Sequence, residues 1–339
     1  MARQRIAIIG ANGYGGGEVA RLLATHPSLE VASYSSRQFE GQAFTAAWPG
    51  ATDSRTFLDL KAAANAADTV VLALPNGVAM TVAPGLLAEG KQVLDLSADY
   101  RLPARDYETW YGAPHANPEL AATAVYGLPE INRASVEGAQ LVANPGCFVT
   151  ATALGLLPLA RAGLVGPQVI VDGYSGISGA GRNAAGFSFA EVNENVFAYK
   201  VAGTHRHTPE MEANLERCGA SARVTFTPHV APYSRGILVT AYVTPTRAVT
   251  NTELRDLYAG AYAGEPFVRV VDEPPQVKAT TGTNRCDVYS RLDERSGVIV
   301  VLSALDNLVK GMAGQAIQNL NLMLGCSEAA GLPTWASWP

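Results

Sequence analysis

The stretch Arg5-Ile-Ala-Ile-Ile-Gly10-Ala-Asn-Gly13-Tyr-Gly-Gly16-Gly-Glu18-Val-Ala-Arg-Leu-Leu23 decides the fold. A short apolar run without alternation ends in glycines, and the glycines open a helical pattern carried by Val19, Leu22 and Leu23. An unalternating run reads as a strand buried on both faces. Followed by a glycine turn and a helix, it is the opening unit of a doubly wound parallel sheet. Glycines at such a turn let the chain reverse tightly and let a pyrophosphate approach the backbone, where helix N-terminal N–H groups hold the anion. Gly10, Asn12, Gly13, Tyr14, Gly15 and Gly16 are therefore the candidate cofactor-binding residues of the turn. A glycine signature alone is weak evidence, and its place at the first strand-to-helix turn strengthens it.

Working outward, Leu29–Ser35 is the second strand candidate, and an NAD site needs an acid there, about 20 residues beyond the glycines, for the ribose 2′-hydroxyl. The chain offers Ser35-Ser36-Arg37-Gln38 instead, hydroxyls and a guanidinium, which suit a 2′-phosphate. NADP(H) is the expected cofactor, with Ser36 and Arg37 at the phosphate. Further runs read as buried strands at 69–74, 92–95 and 140–143 and as a helix at 78–89, giving an α/β Rossmann-type domain over residues 1–146. From 147 to 307 the runs at 168–172, 223–227, 235–243, 287–292 and 297–305 lengthen and alternate, and Asp293–Gly297 reads as a hairpin turn. That predicts a second, α+β domain with a mainly antiparallel sheet. The segment 308–339, with a helical run at 311–324, is expected to pack back on the first domain.

Composition excludes several functions. The 339 residues carry 25 Lys and Arg against 30 Asp and Glu, a net charge of −5 with no basic cluster, which argues against a nucleic-acid partner. The uncharged stretches 69–88 and 138–160 are each broken by proline, asparagine and glycine and do not read as membrane spans. The apolar run behind Arg3 and Arg5 is too short for a secretory signal. Four cysteines, Cys147, Cys218, Cys286 and Cys326, lie far apart with no ligand-spaced histidine, so no metal site is expected and a reducing, cytoplasmic setting fits.

Two segments carry chemistry. Asn144-Pro-Gly-Cys147 runs from a buried strand into a helix, which sets the Cys147 sulfur at a helix N-terminus where thiolate is favoured. Gly203-Thr-His205-Arg206-His207-Thr208-Pro-Glu210 supplies two histidines just before a helix, with Thr208 expected as its N-cap and Pro209 in its first turn. One histidine can move protons while Arg206 and the other hold an anionic group; spacing does not choose between His205 and His207. The loop Ser175–Arg182 suits close approach of a planar ring or an oxyanion, and Asn307 can hydrogen-bond a carboxamide.

The ordered set G-A-N-G-Y-G-G-G-E, S-S-R-Q, S-A-D-Y-R-L, N-P-G-C, S-G-I-S-G-A-G-R, H-R-H-T-P-E, R-G-I-L and D-N-L-V-K-G resembles the N-acetyl-γ-glutamyl-phosphate reductase family, relatives of aspartate-semialdehyde dehydrogenase. The resemblance runs nearly end to end. It implies an NADPH-dependent acyl-phosphate reductase of arginine biosynthesis working through a cysteine thioester, with Cys147 as nucleophile, His205 as general base and Glu210 beside them. Arg206, Arg182 and Arg101, on grounds of charge, with His207 and Asn144, are the candidate substrate-binding residues. Ser178, Gly179 and Asn307 join the cofactor set. A homodimer or homotetramer is expected. Where the family more commonly has C-Y-P-T, this chain has Cys147-Phe148-Val149-Thr150, and a carrier-linked aminoadipyl phosphate of lysine biosynthesis stands as the alternative substrate.

Overall fold

The computed structural model describes residues 3–182 and 188–338. It divides into two compact units, Met1–Pro145 with Met312–Leu332, and Gly146–Gly311 with Pro333–Pro339.

The first unit is built on a seven-stranded sheet of β1 (Gln4–Ile9), β2 (Leu29–Ser35), β3 (Phe57–Leu58), β4 (Thr69–Leu72), β5 (Gln92–Asp95), β6 (Val125–Tyr126) and β7 (Leu141–Ala143). Their spatial order is β3-β2-β1-β4-β5-β7-β6, every pair parallel. The unalternating sequence is explained by burial on both faces: Ile6, Ile8, Val70, Val71, Val93 and Leu94 are all inaccessible to solvent. The order reverses beside β1, so the ends of β1 and β4 form the topological switch point where such sheets bind ligands. The strand expected over 69–74 stops at Leu72, because Pro75-Asn76-Gly77 turns the chain into the helix Ala79–Ala88. β3 and β6, two residues each, are too short to show a period.

The second unit carries a mixed seven-stranded sheet of β8 (Val165–Gly176), β9 (Phe197–Ala198), β10 (Arg223–Ala231), β11 (Ile237–Pro245), β12 (Val268–Val270), β13 (Cys286–Asp293) and β14 (Val298–Leu305). Its order is β12-β13-β14-β11-β8-β10-β9. The β13–β14 hairpin closes through Asp293, whose carbonyl accepts from Gly297 N–H, with Gly297 in the left-handed region at φ 73°. Four of the neighbouring pairs are antiparallel, while β8–β10 and β12–β13 are parallel. Against one face lie the helix Cys147–Arg161, buried along nearly its whole length, and the helices Thr208–Arg217 and Asn251–Ala261.

The C-terminal segment differs from the expectation for 308–339. Residues 312–332 belong to the first unit, where Asn321 Oδ1 meets His26 Nε2 at 3.0 Å and Asn319 Nδ2 donates to the Gly127 carbonyl at 2.8 Å. Residues 308–311 and 333–338 belong to the second, where the Pro333 carbonyl accepts from Asn284 N–H at 2.7 Å; Pro339 lies outside the described residues. Among the described residues no helix is long and apolar enough to cross a membrane, and no His, Cys, Asp and Glu side chains cluster as a metal site.

Candidate active site

The glycine turn of the first unit is crowded from within. Gly10 has φ 87°, and a Cβ there would strike the Ala73 carbonyl. A Cβ on Gly16 would lie 2.8 Å from the Ala11 Cα, and one on Gly17 would collide with the Trp48 indole, whose Nε1 donates to the Ala11 carbonyl at 2.8 Å. Gly13 is the N-cap of the helix Tyr14–Leu23 and supplies no side-chain cap. The N–H groups of Tyr14, Gly15 and Gly16 thus open the helix without intrahelical acceptors, as an anion site requires. Gly10 and Ala11 N–H both donate to the Ser35 carbonyl, at 2.9 and 3.1 Å, which sets Ser36 and Arg37 beside the turn. Ser36 is buried with its Oγ accepting from Phe39 N–H, and Arg37 is exposed. A cradle of glycine, a helix N-terminus and a guanidinium at the end of β2 fit an NADP pyrophosphate and 2′-phosphate.

Two sequence candidates in this unit are hydrogen-bonded to the backbone that precedes Cys147. Arg101 is buried, with Nε donating to the Asn144 carbonyl at 2.7 Å and Nη2 to the Leu96 carbonyl at 2.8 Å. Asn144 is fully enclosed and spends its amide on the Met312 carbonyl and Asn319 Nδ2. Both fix the backbone leading to Cys147. Sequence reasoning passed over Asp95 at the end of β5, which burial pushes up to about 7 although the Ser97 N–H and hydroxyl both donate to it.

The second unit gathers the candidate reacting groups about the start of the helix Cys147–Arg161. Cys147 is its first residue, half-buried, and Gly146 is the N-cap. Gly146 N–H donates to Glu210 Oε1 at 3.0 Å, so the helix Thr208–Arg217 grips the turn that presents the sulfur. His207 lies against Gly146: a Cβ there would sit 2.5 Å from His207 Nε2. On the other side Gly311 abuts Cys147, since a Cβ on it would lie 2.9 Å from the Cys147 Cβ. Gly311 belongs to a π-helical turn, Val309–Ala313, a distortion frequent at functional sites and silent in the residue pattern.

His205 stands in an aromatic box. The rings of Phe148, Phe226 and Tyr199 meet its imidazole edge-on at 6.1, 5.2 and 5.6 Å between centroids, and His207 lies at 4.8 Å. Phe148, the departure from the family pattern, is thus part of the box. His207 N–H donates to His205 Nδ1 at 3.1 Å, which leaves the proton of the neutral ring on Nε2. Burial first, then the charges of His207, Lys200 and Arg206, push the His205 imidazole down to about 2, so the ring stays neutral. Thr208 is not the N-cap: His207 holds that position, Thr208 begins the helix, and its buried hydroxyl finds no partner among the described residues.

Of the remaining candidates, Arg206 and Arg182 are exposed in this unit, Arg206 near enough to His205 to disfavour its charging. Asn307 Oδ1 accepts from Gly236 N–H at 2.7 Å and its Nδ2 donates to Ser178 Oγ at 3.0 Å. Asn307 therefore ties down the 175–182 loop. Gly179 sits in that loop against the Ser175 hydroxyl, 2.7 Å from where its Cβ would be.

A thiol at a helix start, on a turn held by a buried carboxylate and packed against an imidazole, is equipped for acyl transfer. Two family models match the chain: semialdehyde dehydrogenase, NAD binding domain, over residues 5–139, and semialdehyde dehydrogenase, dimerisation domain, over residues 147–307. The N-acetyl-γ-glutamyl-phosphate reductase of Thermus thermophilus is 52% identical over 98% of this chain and 100% of its own length. The chain belongs to the N-acetyl-γ-glutamyl-phosphate reductase family of semialdehyde dehydrogenases. A second member, from Desulforudis audaxviator, is 48% identical over 97% of each chain. Aspartate semialdehyde dehydrogenase II of Vibrio cholerae shares the fold, with a TM-score of 0.74 at 17% identity over 96% of this chain and 99% of that one.

Proposed function

We propose that the chain catalyses the NADPH-dependent reductive dephosphorylation of N-acetyl-γ-glutamyl phosphate to N-acetylglutamate 5-semialdehyde, in arginine biosynthesis. The observation that carries this is the full-length identity with reductases of that name, joined to the Cys147–His207–His205 cluster that the chemistry needs. The relatives give no support to the aminoadipyl alternative.

The Cys147 sulfur attacks the acyl carbon, the C–O bond to phosphate breaks, and a thioester forms on Cys147. His207, whose Nε2 faces Gly146 at the nucleophile's turn, accepts the thiol proton, and Glu210 on the same turn supports the charge. His205 cannot serve as that base, since its Nδ1 is taken and its Nε2 already carries a proton. It is the hydrogen-bond donor, its Nε2–H holding the substrate carbonyl oxygen and stabilising the tetrahedral alkoxide. Bound NADPH supplies the hydride that reduces the thioester carbon. The thiohemiacetal alkoxide that results, held by His205 Nε2–H, collapses as the C–S bond breaks, releasing aldehyde and Cys147 thiolate. Arg206, Lys200 and Arg182 are cations available to the dianionic phosphate.

The outer face of the mixed sheet supports self-association. Ile170 on β8 and Tyr242 on β11 are cross-strand partners, 45% and 38% exposed, and an apolar sheet face of this kind is what a second copy covers. A homodimer or homotetramer in the cytoplasm, where Cys147 stays reduced, is the working form. Light scattering of Ile170→Asp protein tests it: a mass unchanged from wild type discards this face. The reaction is tested in reverse, with N-acetylglutamate semialdehyde, phosphate and NADP. Faster NADPH formation with the aminoadipate analogue overturns the substrate assignment, and none with either overturns the activity.

A further inference from the structure

The segment Leu74-Pro75-Asn76-Gly77-Val78 leads from β4 into the helix Ala79–Ala88, at the strand end beside the glycine turn. Ala73 N–H donates to the Ile9 carbonyl at 2.8 Å, and a Cβ on Gly10 would strike the Ala73 carbonyl and lie 3.4 Å from the Leu74 Cδ2. The segment therefore faces the glycine turn across the switch point, where a dinucleotide crosses the sheet. Pro75, Asn76 and Val78 are exposed, and Gly77 has φ 86°. An exposed turn of this kind ordinarily samples several shapes.

A buried carboxylate holds it in one. Asp99, inaccessible to solvent, accepts from Gly77 N–H at 2.7 Å through Oδ1 and from Met80 N–H at 3.0 Å through Oδ2. The Tyr107 hydroxyl donates to the same Oδ1 at 3.2 Å, and Asn76 Oδ1 accepts from Ala98 N–H at 3.0 Å. The helix has Val78 as its N-cap with no side-chain cap, so a carboxylate from the turn after β5 does what a capping aspartate does. Asp99 is fixed in its turn: its N–H donates to Ser97 Oγ at 3.1 Å, and its carbonyl accepts from His115 Nε2 at 2.7 Å. A carboxylate withdrawn from water is costly unless its lone pairs are used, and these are spent on the 77–80 backbone. Neither the cofactor cradle nor the acyl-transfer scheme gives Asp99 a part.

We propose that Asp99 is a positioning residue for the cofactor: it locks the 74–78 turn as the wall against which the nicotinamide riboside half of NADPH rests, while the glycine turn and Arg37 hold the other half. The proposal rests on NADPH binding at the glycine turn.

Asp99→Asn keeps the size of the side chain, removes its charge and sets an amide N–H against a backbone N–H of the turn. Calorimetric titration of the full-length protein with NADPH and, separately, with adenosine 2′,5′-bisphosphate is the measurement. With the turn in its binding shape about a tenth of the time, the NADPH Kd rises about tenfold, and the NADPH KM rises with it while kcat at saturation holds. The bisphosphate carries the 2′-phosphate half without the nicotinamide riboside, and its Kd stays at the wild-type value. An Asp99→Asn protein that binds NADPH as wild type does overturns the proposal. Equal weakening of both ligands also overturns it, because that marks a general loosening of the domain. Should Asp99→Asn fail to fold, Asn76→Ala, on the exposed side of the turn, decides by the same split: NADPH weakened with the bisphosphate unchanged supports the proposal, and any other result overturns it. Wild-type protein that binds neither ligand overturns the cofactor reading itself, and the proposal falls with it.

Discussion

Each unit turns from strand into helix through glycine, and the two turns need their glycines for different reasons. At Gly10–Gly17 the obstacles are the chain's own framework: the Ala73 carbonyl, the Ala11 backbone and the Trp48 indole. At Gly146 and Gly311 the obstacles are the candidate catalytic side chains, His207 and Cys147. A methyl group added at the first turn strains the fold, whereas one added at the second displaces chemistry from a fold that can still form.

That contrast can be broken by experiment. Cys147→Ser should reduce turnover at least about 10³-fold, the scale of losing a nucleophile, while NADPH still binds; retained turnover ends the covalent scheme. Gly146→Ala pushes His207 away from the sulfur's turn and should cost about 10²-fold in kcat with little change in melting temperature, since a displacement of about 1 Å suffices. A variant that melts early at unchanged kcat would erase the difference between the turns. On the cofactor side, Arg37→Ala removes a charge-assisted contact and should raise the NADPH KM about 10- to 100-fold at unchanged kcat. An unchanged KM for NADPH refutes the 2′-phosphate assignment. Gly17→Ala, at the framework turn, should destabilise by about 1–3 kcal/mol through overpacking on Trp48, with kcat per folded molecule intact.

The smallest effect concerns acid. His26 in the first unit is held neutral, burial lowering its proton affinity, and its Nδ1 accepts from Ser28 and Leu29 N–H. His205 in the second is likewise held neutral. For both, the folded value lies below the unfolded one, so the folded state binds fewer protons on acidification. Their contribution is whole above about pH 6.5 and fades as pH falls toward the folded values. Denaturant melts between pH 7 and 5 should show this loss, and His26→Gln should flatten it; an equally steep loss in the variant assigns it elsewhere.

Much of this was legible in the residues. β1, β2, β4, β5 and β7 are apolar runs bounded by turns, and the β13–β14 hairpin announces itself by Asp293–Gly297. The edge strands β3, β6, β9 and β12, of two or three residues, are made by pairing and carry no period of their own. Cys147, His205 and His207 were visible by type and setting, but their division of labour was not. It depends on a backbone N–H reaching His205 Nδ1, which no spacing records. The burial of Arg101 against two carbonyls follows from long-range packing, which residue type alone does not show. Gly311 and Tyr199 were invisible as neighbours of the site because contacts across long separations bring them there.

The first unit is not a continuous length of chain. Its sheet is complete by Ala143, yet Met312–Leu332 belongs to it and supplies Gln318, Asn319 and Asn321, all without solvent exposure. Gln4 Nε2 donates to the Leu324 carbonyl across 320 positions. During synthesis, therefore, the nucleotide-binding half emerges first and waits through the whole of the catalytic half for its last helix. Its nascent form exposes the groove that helix fills, and a chain cut short after Gly311 holds every candidate catalytic side chain while lacking a finished cofactor domain.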